Sequence, residues 1–176
     1  GKARVAPPLR ALAAAQDRLS EKRTFELLGI ATTRYAAVDS RAALETAVKS
    51  IGLPGVLKTR TLGYDGKGQF VLRSSADLDA AWEALGKAAS LLYENLVPFD
   101  REVSIIAVRG LDGAIAFYPL NLNVHREGIL RLTRAPFGST TLTRQAQRAA
   151  RRLLEHFRYV GVLTIEFFVV RGKLVA

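Results

Sequence analysis

Three glycines in seven residues, Gly63-Tyr64-Asp65-Gly66-Lys67-Gly68-Gln69, form the stretch of this sequence best suited to chemistry. Glycine lets a backbone come close to a ligand and take up positive φ where a Cβ would clash. Successive N–H groups in such a loop make a concave anion site. Lys67 inside the loop and Lys58 just before it add positive charge, so the ligand class indicated is a polyphosphate. The apolar runs Gly55-Val56-Leu57 and Phe70-Val71-Leu72 flank the loop and predict strand, loop, strand. The spacing is neither that of a Walker lysine loop nor G-x-G-x-x-G, and no helix follows directly, so both of those phosphate sites are excluded. A plain hairpin turn that happens to carry a lysine is the alternative at this level.

Carboxylates supply the second set of candidates. Glu166 lies in the middle of Val162–Val170, the most apolar run of the chain. A lone buried carboxylate is costly unless it is paired or binds a cation. Coordination of Mg²⁺, which takes one or two carboxylates together with nucleotide phosphates, is one solution; a solvent-facing position on a half-exposed strand is the other. Glu94 and Glu102 pose the same question, and beside an adenosine they could accept from the exocyclic amine or the ribose hydroxyls. His125 is one of two histidines and reads as a hydrogen-bonded structural residue or as a base. No Ser-His-Asp or Cys-His pattern and no histidine pair at zinc spacing occurs, and no catalytic residue is assigned. Two lysines and a glycine loop set against carboxylates indicate nucleotide phosphates held with Mg²⁺ for phosphoryl transfer.

The elements that must position these groups follow from periodicity and punctuation. Pro7-Pro8 precedes a helical pattern from Leu9 to Leu28, within which Asp17 can cap a second helix and Gly29 is the stop. Arg18 and Lys22 are four apart on one face of it, either both reaching a phosphate or both exposed. A strand is predicted over Arg34–Val38, then a helix Arg41–Ser50 capped at Asp39-Ser40 with Leu44 and Val48 inward. After the glycine loop, Ser75 or Asp77 caps a helix Leu78–Leu85 with Trp82 and Leu85 on its buried side. A strand Leu91–Val97 carries Glu94 and Asn95. From Arg101 the pattern becomes an antiparallel meander: Val103–Val108, Ala114–Leu120 and Ile129–Leu132, separated by turn residues. An amphipathic helix from about Leu142 to Phe157 comes next. Gly161 then leads into the strand at Val162–Val170, Arg171-Gly172 turns it, and Lys173–Ala176 starts the return.

The net charge of +10 is concentrated between Arg126 and Arg158, where eight arginines face only Glu127 and Glu155. Such a surface either binds nucleic acid or phosphorylated ligands, or is a solvated helix face. The chain has no cysteine, which excludes disulfides and thiolate metal sites and suits a cytoplasmic enzyme. No apolar run reaches membrane-spanning length and no secretory leader opens the chain, so no membrane association is expected. The absence of methionine implies a chain that begins away from a native start.

Together these motifs resemble the ATP-grasp domain of 5-(carboxyamino)imidazole ribonucleotide synthase, the ATPase subunit of phosphoribosylaminoimidazole carboxylase. The resemblance rests on Gln16 to Lys22, Val56 to Arg60 with Gly63–Gln69, Val97 to Ser104, Phe117-Tyr118-Pro119-Leu120, Asn123-Val124-His125, Gly128 to Arg131, Tyr159 to Val162 and Glu166-Phe167-Phe168. It implies an α+β ATP-grasp fold in which two lobes close on ATP: a helical entry segment at 1–30, a small lobe with a glycine-rich lid at 31–97, and a larger antiparallel lobe at 98–176. It implies an ATP-dependent ligase of purine biosynthesis that joins bicarbonate to 5-aminoimidazole ribonucleotide through carboxyphosphate, with Mg²⁺, in a homodimeric parent enzyme. Carried over by position, Arg18 and Lys58 contact ATP, and Gly63, Tyr64, Asp65, Gly66, Lys67, Gly68 and Gln69 close over its phosphates. Glu94, Asn95, Leu96 and Val97 form the hinge that reads adenine, Glu102 holds the ribose, His125 lines the nucleotide site, and Glu166 is a Mg²⁺ ligand.

The chain also departs from that family. An N-terminal Rossmann-like domain and an Asn-Glu pair following the last strand have no counterpart here, and Leu62 stands where glycine is common. The expectation is an ATP-binding fragment that does not turn over alone. Two other readings remain: a basic nucleic-acid-binding module built on the arginine helix, and a formate-using ATP-grasp ribonucleotide transformylase. Asn123-Val124-His125 with Gly128 to Arg131 favours the synthase over the latter.

Overall fold

The computed structural model describes residues 5–63, 67–88 and 90–176. Helix α1 (Leu9–Gln16) follows Pro8 and ends at Asp17, whose backbone is extended. The Asp17 carboxylate then accepts from the amides of Leu19 and Ser20 at 2.9 and 3.0 Å and starts α2 (Arg18–Leu27). Satisfying those otherwise orphaned amides is what lets one helical pattern break into two helices. Gly29, at φ +62, ends α2 as expected.

The first sheet is built from β1 (Tyr35–Val38), β2 (Gly55–Thr59), β3 (Gln69–Leu72) and β4 (Leu91–Asn95), antiparallel in the order β1-β4-β2-β3. Helix α3 (Arg41–Ile51) is capped by Ser40 and packs Leu44 and Val48 onto the sheet. Helix α4 (Leu78–Leu85) is preceded by a 3-10 turn at Ser75–Asp77, and the cap is Ser74, in a reciprocal capping box with Asp77. The buried side of α4 centres on Ala81; Trp82 and Leu85 are half-buried against the same core. Strand β4 stops at Asn95, two residues earlier than the apolar pattern suggests: the Leu96 amide still donates in register to the Pro54 carbonyl at 3.0 Å, but Pro54 has no N–H to return and the ladder ends there. Tyr93 fills the middle of this core, its hydroxyl donating to the Gly52 carbonyl at 2.8 Å. Its ring occupies the space a side chain on Gly55 would need.

The second sheet contains β5 (Arg101–Arg109), β6 (Ile115–Phe117), β7 (Asn121–Arg126), β8 (Ile129–Arg134), β9 (Gly161–Val170) and β10 (Lys173–Val175). The order is β10-β9-β5-β7-β8, with β6 pairing to β5, and every pair is antiparallel. Strand β7 has no counterpart in the pattern of apolar runs. Asn121 and Asn123 are buried there and donate to the Ser104 hydroxyl at 3.4 and 3.0 Å. The strand is therefore seated through polar side chains, a signal that hydrophobic periodicity does not register. The apolar run at 114–120 forms only the short β6, since Pro119 cannot donate to a ladder.

Helix α5 (Thr140–Phe157) covers one face of this sheet with Leu142, Ala146, Ala150, Leu153 and Leu154. Arg144, Arg148, Arg151 and Arg152 stand outside that buried stripe, so much of the basic excess is a helix surface. Phe25 and Ile30 join the same core and anchor α2 to the larger sheet. Ile165, Phe167 and Val169 of β9 point into that core while Val162 is 61% exposed. Of the two positions left open for Glu166, the half-exposed strand is the one observed: β9 is one-sided and its second face is open.

Candidate functional site

That open face, the β2–β4 end of the first sheet and α2 border one cleft of about 880 Å³. Alternation along the strands puts Glu102 of β5 and Glu166 and Phe168 of β9 on the side opposite α5. Lys58, Gln69 and Glu94 come from β2, β3 and β4, and Arg18, Glu21 and Lys22 from α2. Phe99 stacks on Phe168 with ring centroids 4.5 Å apart and planes 17° apart, giving the cleft an aromatic wall.

Glu94 is only 5% exposed and sits between two ammonium groups. Its Oε2 accepts from Lys22 Nζ at 2.8 Å and from the Thr33 hydroxyl at 2.7 Å, and its Oε1 pairs with Lys58 Nζ. Burial pushes the Glu94 carboxyl up, but Lys58 and Lys22 outweigh it and hold the group at about 2. Lys22 also donates to the hydroxyls of Thr32 at 2.9 Å and Thr33 at 2.7 Å. Glu21, one residue away, is pushed above the usual carboxylate range by burial, against the opposing pull of Lys22 and Arg18.

The glycine loop is tied down at its base. Arg18 Nε donates to the Thr59 carbonyl at 3.1 Å and Nη2 to the Gly63 carbonyl at 3.3 Å. The Thr59 amide donates to the Gly68 carbonyl at 2.8 Å, closing the loop, and Gly68 takes φ +72. Arg60 forks onto Asp17 with contacts of 2.5 and 3.2 Å, so the residue that caps α2 also holds the strand leading into the loop. Leu62, where the resembled family commonly has glycine, is at φ 62, a region that disfavours a side chain. Tyr64, Asp65 and Gly66 lie outside the described residues.

Across the cleft, Glu102 Oε2 is 2.6 Å from His125 Nδ1, and His125 Nε2 is 4.0 Å from Glu166 Oε1. Glu166 itself is open to the cleft, its side chain 63% exposed. Among the described residues no three His, Asp or Glu side chains form a ready-made metal cage. A single accessible carboxylate fits a hard cation whose other ligands are phosphate oxygens and water, and does not fit a resident structural metal.

Eight of the candidate residues weighed from the sequence therefore line one cleft: Arg18, Lys22, Lys58, Gln69, Glu94, Glu102, His125 and Glu166. Gly63, Lys67 and Gly68 belong to the loop and are not in its lining. Asn95, Leu96 and Val97 also stand outside the lining. Asn95 is tied to Arg34, its side-chain oxygen accepting at 2.8 Å and its amide donating at 3.1 Å, and the Leu96 amide is committed to Pro54. Lys22, read from the sequence as either reaching a phosphate or exposed, is instead buried with its ammonium held by Glu94, Thr32 and Thr33, and Phe99 and Phe168 were passed over as a wall. The available signals were the four-residue step from Arg18 to Lys22 and the two-residue step from Glu166 to Phe168. Chemically, the cleft can hold a polyphosphate against Lys58, an aromatic base against Phe168 and a hydroxyl against Glu102.

Comparison with known proteins agrees with this geometry. The ATP-grasp domain model matches residues 23–176. The N5-carboxyaminoimidazole ribonucleotide synthase of Pseudomonas aeruginosa is 50% identical over 172 residues, covering 98% of this chain and 47% of that protein. The crystal structure of N5-carboxyaminoimidazole ribonucleotide synthetase from Thermus thermophilus superposes with a TM-score of 0.89 at 46% identity, over 97% of this chain and 46% of that one. The synthase from Aspergillus clavatus, in complex with ADP and 5-aminoimidazole ribonucleotide, superposes with a TM-score of 0.88 at 26% identity, over 99% and 46%. The chain thus spans a little under half the length of these relatives. No helix among the described residues is long and apolar enough to cross a membrane. The fold is the ATP-grasp fold, and the chain belongs to the ATP-grasp family.

Proposed function

We propose that this chain is the nucleotide-binding part of an ATP-dependent ligase that carboxylates 5-aminoimidazole ribonucleotide in purine biosynthesis. The observation that carries the reading is the convergence of Lys58, Glu94, Glu102, His125 and Phe168 on one cleft beside the glycine loop. ATP lies with its phosphates toward Lys58, Arg18 and the loop, its base near the Phe168 wall on the Glu94 side of the cleft, and its ribose near Glu102. Bicarbonate attacks the γ-phosphorus, ADP leaves, and the resulting carboxyphosphate passes its carboxyl group to the exocyclic amine of the ribonucleotide with release of phosphate. Mg²⁺, held in part by Glu166, supplies neutralisation of the phosphate charge when bound. Within this chain Lys58 and Arg18 orient the phosphates, the loop excludes water from them, and Glu102 fixes the sugar. By the same resemblance, the whole protein is read as a cytoplasmic homodimer.

The test is a chimera in which this chain replaces the matched segment of the Pseudomonas aeruginosa relative. The reading predicts ADP formation that requires both bicarbonate and 5-aminoimidazole ribonucleotide. A folded, ATP-binding chimera whose ADP formation ignores both would overturn the carboxylation reading and leave the nucleotide site standing.

A further inference from the structure

The two lysines on Glu94 are not equivalent. Lys22 is 8% exposed, and its ammonium has three acceptors in place: Thr32 Oγ1 at 2.9 Å, Thr33 Oγ1 at 2.7 Å and Glu94 Oε2 at 2.8 Å. An ammonium has three protons to donate, so Lys22 is saturated where it stands. The Thr32 hydroxyl donates to the Ala176 carbonyl at 2.8 Å and the Thr33 hydroxyl donates to Glu94 at 2.7 Å, which fixes the direction of both hydroxyls. Lys58 has a side chain 25% exposed at the cleft, and Glu94 is its partner there. One carboxylate thus faces two cations, one locked in place and one at the edge of open space.

We infer that Lys22 is a positioning residue: it is the permanent counter-ion of Glu94, and its presence frees Lys58 to transfer from Glu94 to a ligand phosphate. The inference rests on the reading of the cleft as a nucleotide site. A buried carboxylate with a single cation cannot give that cation up, because the move would leave an uncompensated buried charge. With Lys22 in place, the departure of Lys58 leaves Glu94 still paired and still accepting from Thr33. The sequence supports the division of labour in its placement. Lys22 lies on α2, anchored to the larger core through Phe25, while Lys58 lies on β2, next to the loop that covers the phosphates. Lys22 therefore never has to touch the ligand in order to set its affinity.

The test combines ATP binding with a ligand-free measurement on the chain. Lys22→Met is expected to weaken ATP·Mg²⁺ binding about tenfold, while adenosine binding stays within about twofold. Lys22→Met with Lys58→Met is expected to be no weaker than Lys58→Met alone, since Lys22 acts through Lys58. Glu94→Gln placed on Lys22→Met removes the charge that captures Lys58 and is expected to restore most of the loss. Lys22→Arg, which keeps the charge, tests the arrangement if Lys22→Met does not fold. Without any nucleotide, an amine-reactive probe read by mass spectrometry is expected to modify Lys58 and spare Lys22 in the wild type, and to modify Lys58 several-fold more slowly in Lys22→Met. Additive losses in the double variant, or unchanged Lys58 reactivity in Lys22→Met, overturn the inference. A wild-type chain that shows the labelling pattern but binds no ATP overturns the nucleotide reading instead, so the two failures are distinguishable.

Discussion

The Glu102 carboxylate and the His125 ring meet at 2.6 Å across the paired strands β5 and β7. The contact engages one carboxylate oxygen, Oε2, and so restrains the orientation in which the group can present Oε1 to a ligand. If Glu102 accepts from a ribose hydroxyl, its removal should cost more for ATP than for 2′-deoxy-ATP. Glu102→Ala is expected to erase a preference for ATP of about tenfold, as befits one charge-assisted hydrogen bond. Competition binding of the two nucleotides checks it; an equal preference in both proteins assigns the ribose elsewhere.

Lys58 sits at the cleft beside the base of the loop, and replacing it tests the phosphate site without opening the core. Lys58→Met is expected to weaken ATP binding about 10- to 100-fold and to lower the urea midpoint at pH 7 only in part, because Lys22 still pairs with the buried Glu94. Lys67→Met, in an exposed position, should weaken it less. Calorimetry with ATP and Mg²⁺ reads both, and unchanged affinity in both variants would return the loop to the status of a structural turn.

Acid stability should carry the signature of Glu94. Its carboxyl is held at about 2 in the folded chain against an ordinary value of 4.5, so the unfolded chain binds more protons as the pH falls. The stabilisation is complete above about pH 4.5 and is lost as the pH drops toward 2; it is worth on the order of 3 kcal/mol at most. Glu21 acts in the opposite sense, because burial raises its carboxyl and protonation favours the folded chain. Urea unfolding between pH 7 and pH 3 should therefore show a steep acid limb in the wild type. Glu94→Gln should be less stable at pH 7, with Lys22 left poorly paired, and flatter toward acid. Parallel profiles would show that the ion pairs contribute nothing.

The small sheet depends on one glycine. A Cβ at Gly55 falls within the ring of Tyr93, which is fully buried and tethered to Gly52. Gly55→Ala is expected to cost about 3 kcal/mol, the upper end of the range for overpacking a filled core. Tyr93→Phe in the same background keeps the ring and should rescue little of it. Chemical denaturation gives both values, and a loss below about 0.5 kcal/mol, the size of an ordinary surface change, would mean the ring yields.

Much of this was legible in the sequence, for identifiable reasons. Asp17, Gly29 and Ser40 are punctuation with local physics behind them, and each does what its residue type predicts. The one-sided helices α3 and α5 follow from apolar spacing alone. Strand β7 was not legible, because its inward residues are asparagines satisfied by Ser104, a pairing made across the sheet. The openness of β9 was left undecided for a related cause: its second face carries Val162 and Phe168 beside Glu166, apolar enough to look buried, although Phe168 lines the cleft. Within the site, Lys58, Glu102, His125 and Glu166 could be named one at a time. The role of Lys22 could not, because it depends on Thr32 and Thr33, which lie ten and eleven residues away and approach only when the chain turns at Gly29.

The central claim is that the cleft between the two sheets binds the phosphates and base of ATP. The most direct measurement is an NMR titration of the isotopically labelled chain with ATP and Mg²⁺. The account predicts shifts concentrated at Lys58, the glycine loop, Glu94, Glu102, His125 and Phe168, with the exposed arginines of α5 unmoved. Shifts confined to Arg144, Arg148, Arg151 and Arg152, or no shifts at millimolar ATP, would contradict it.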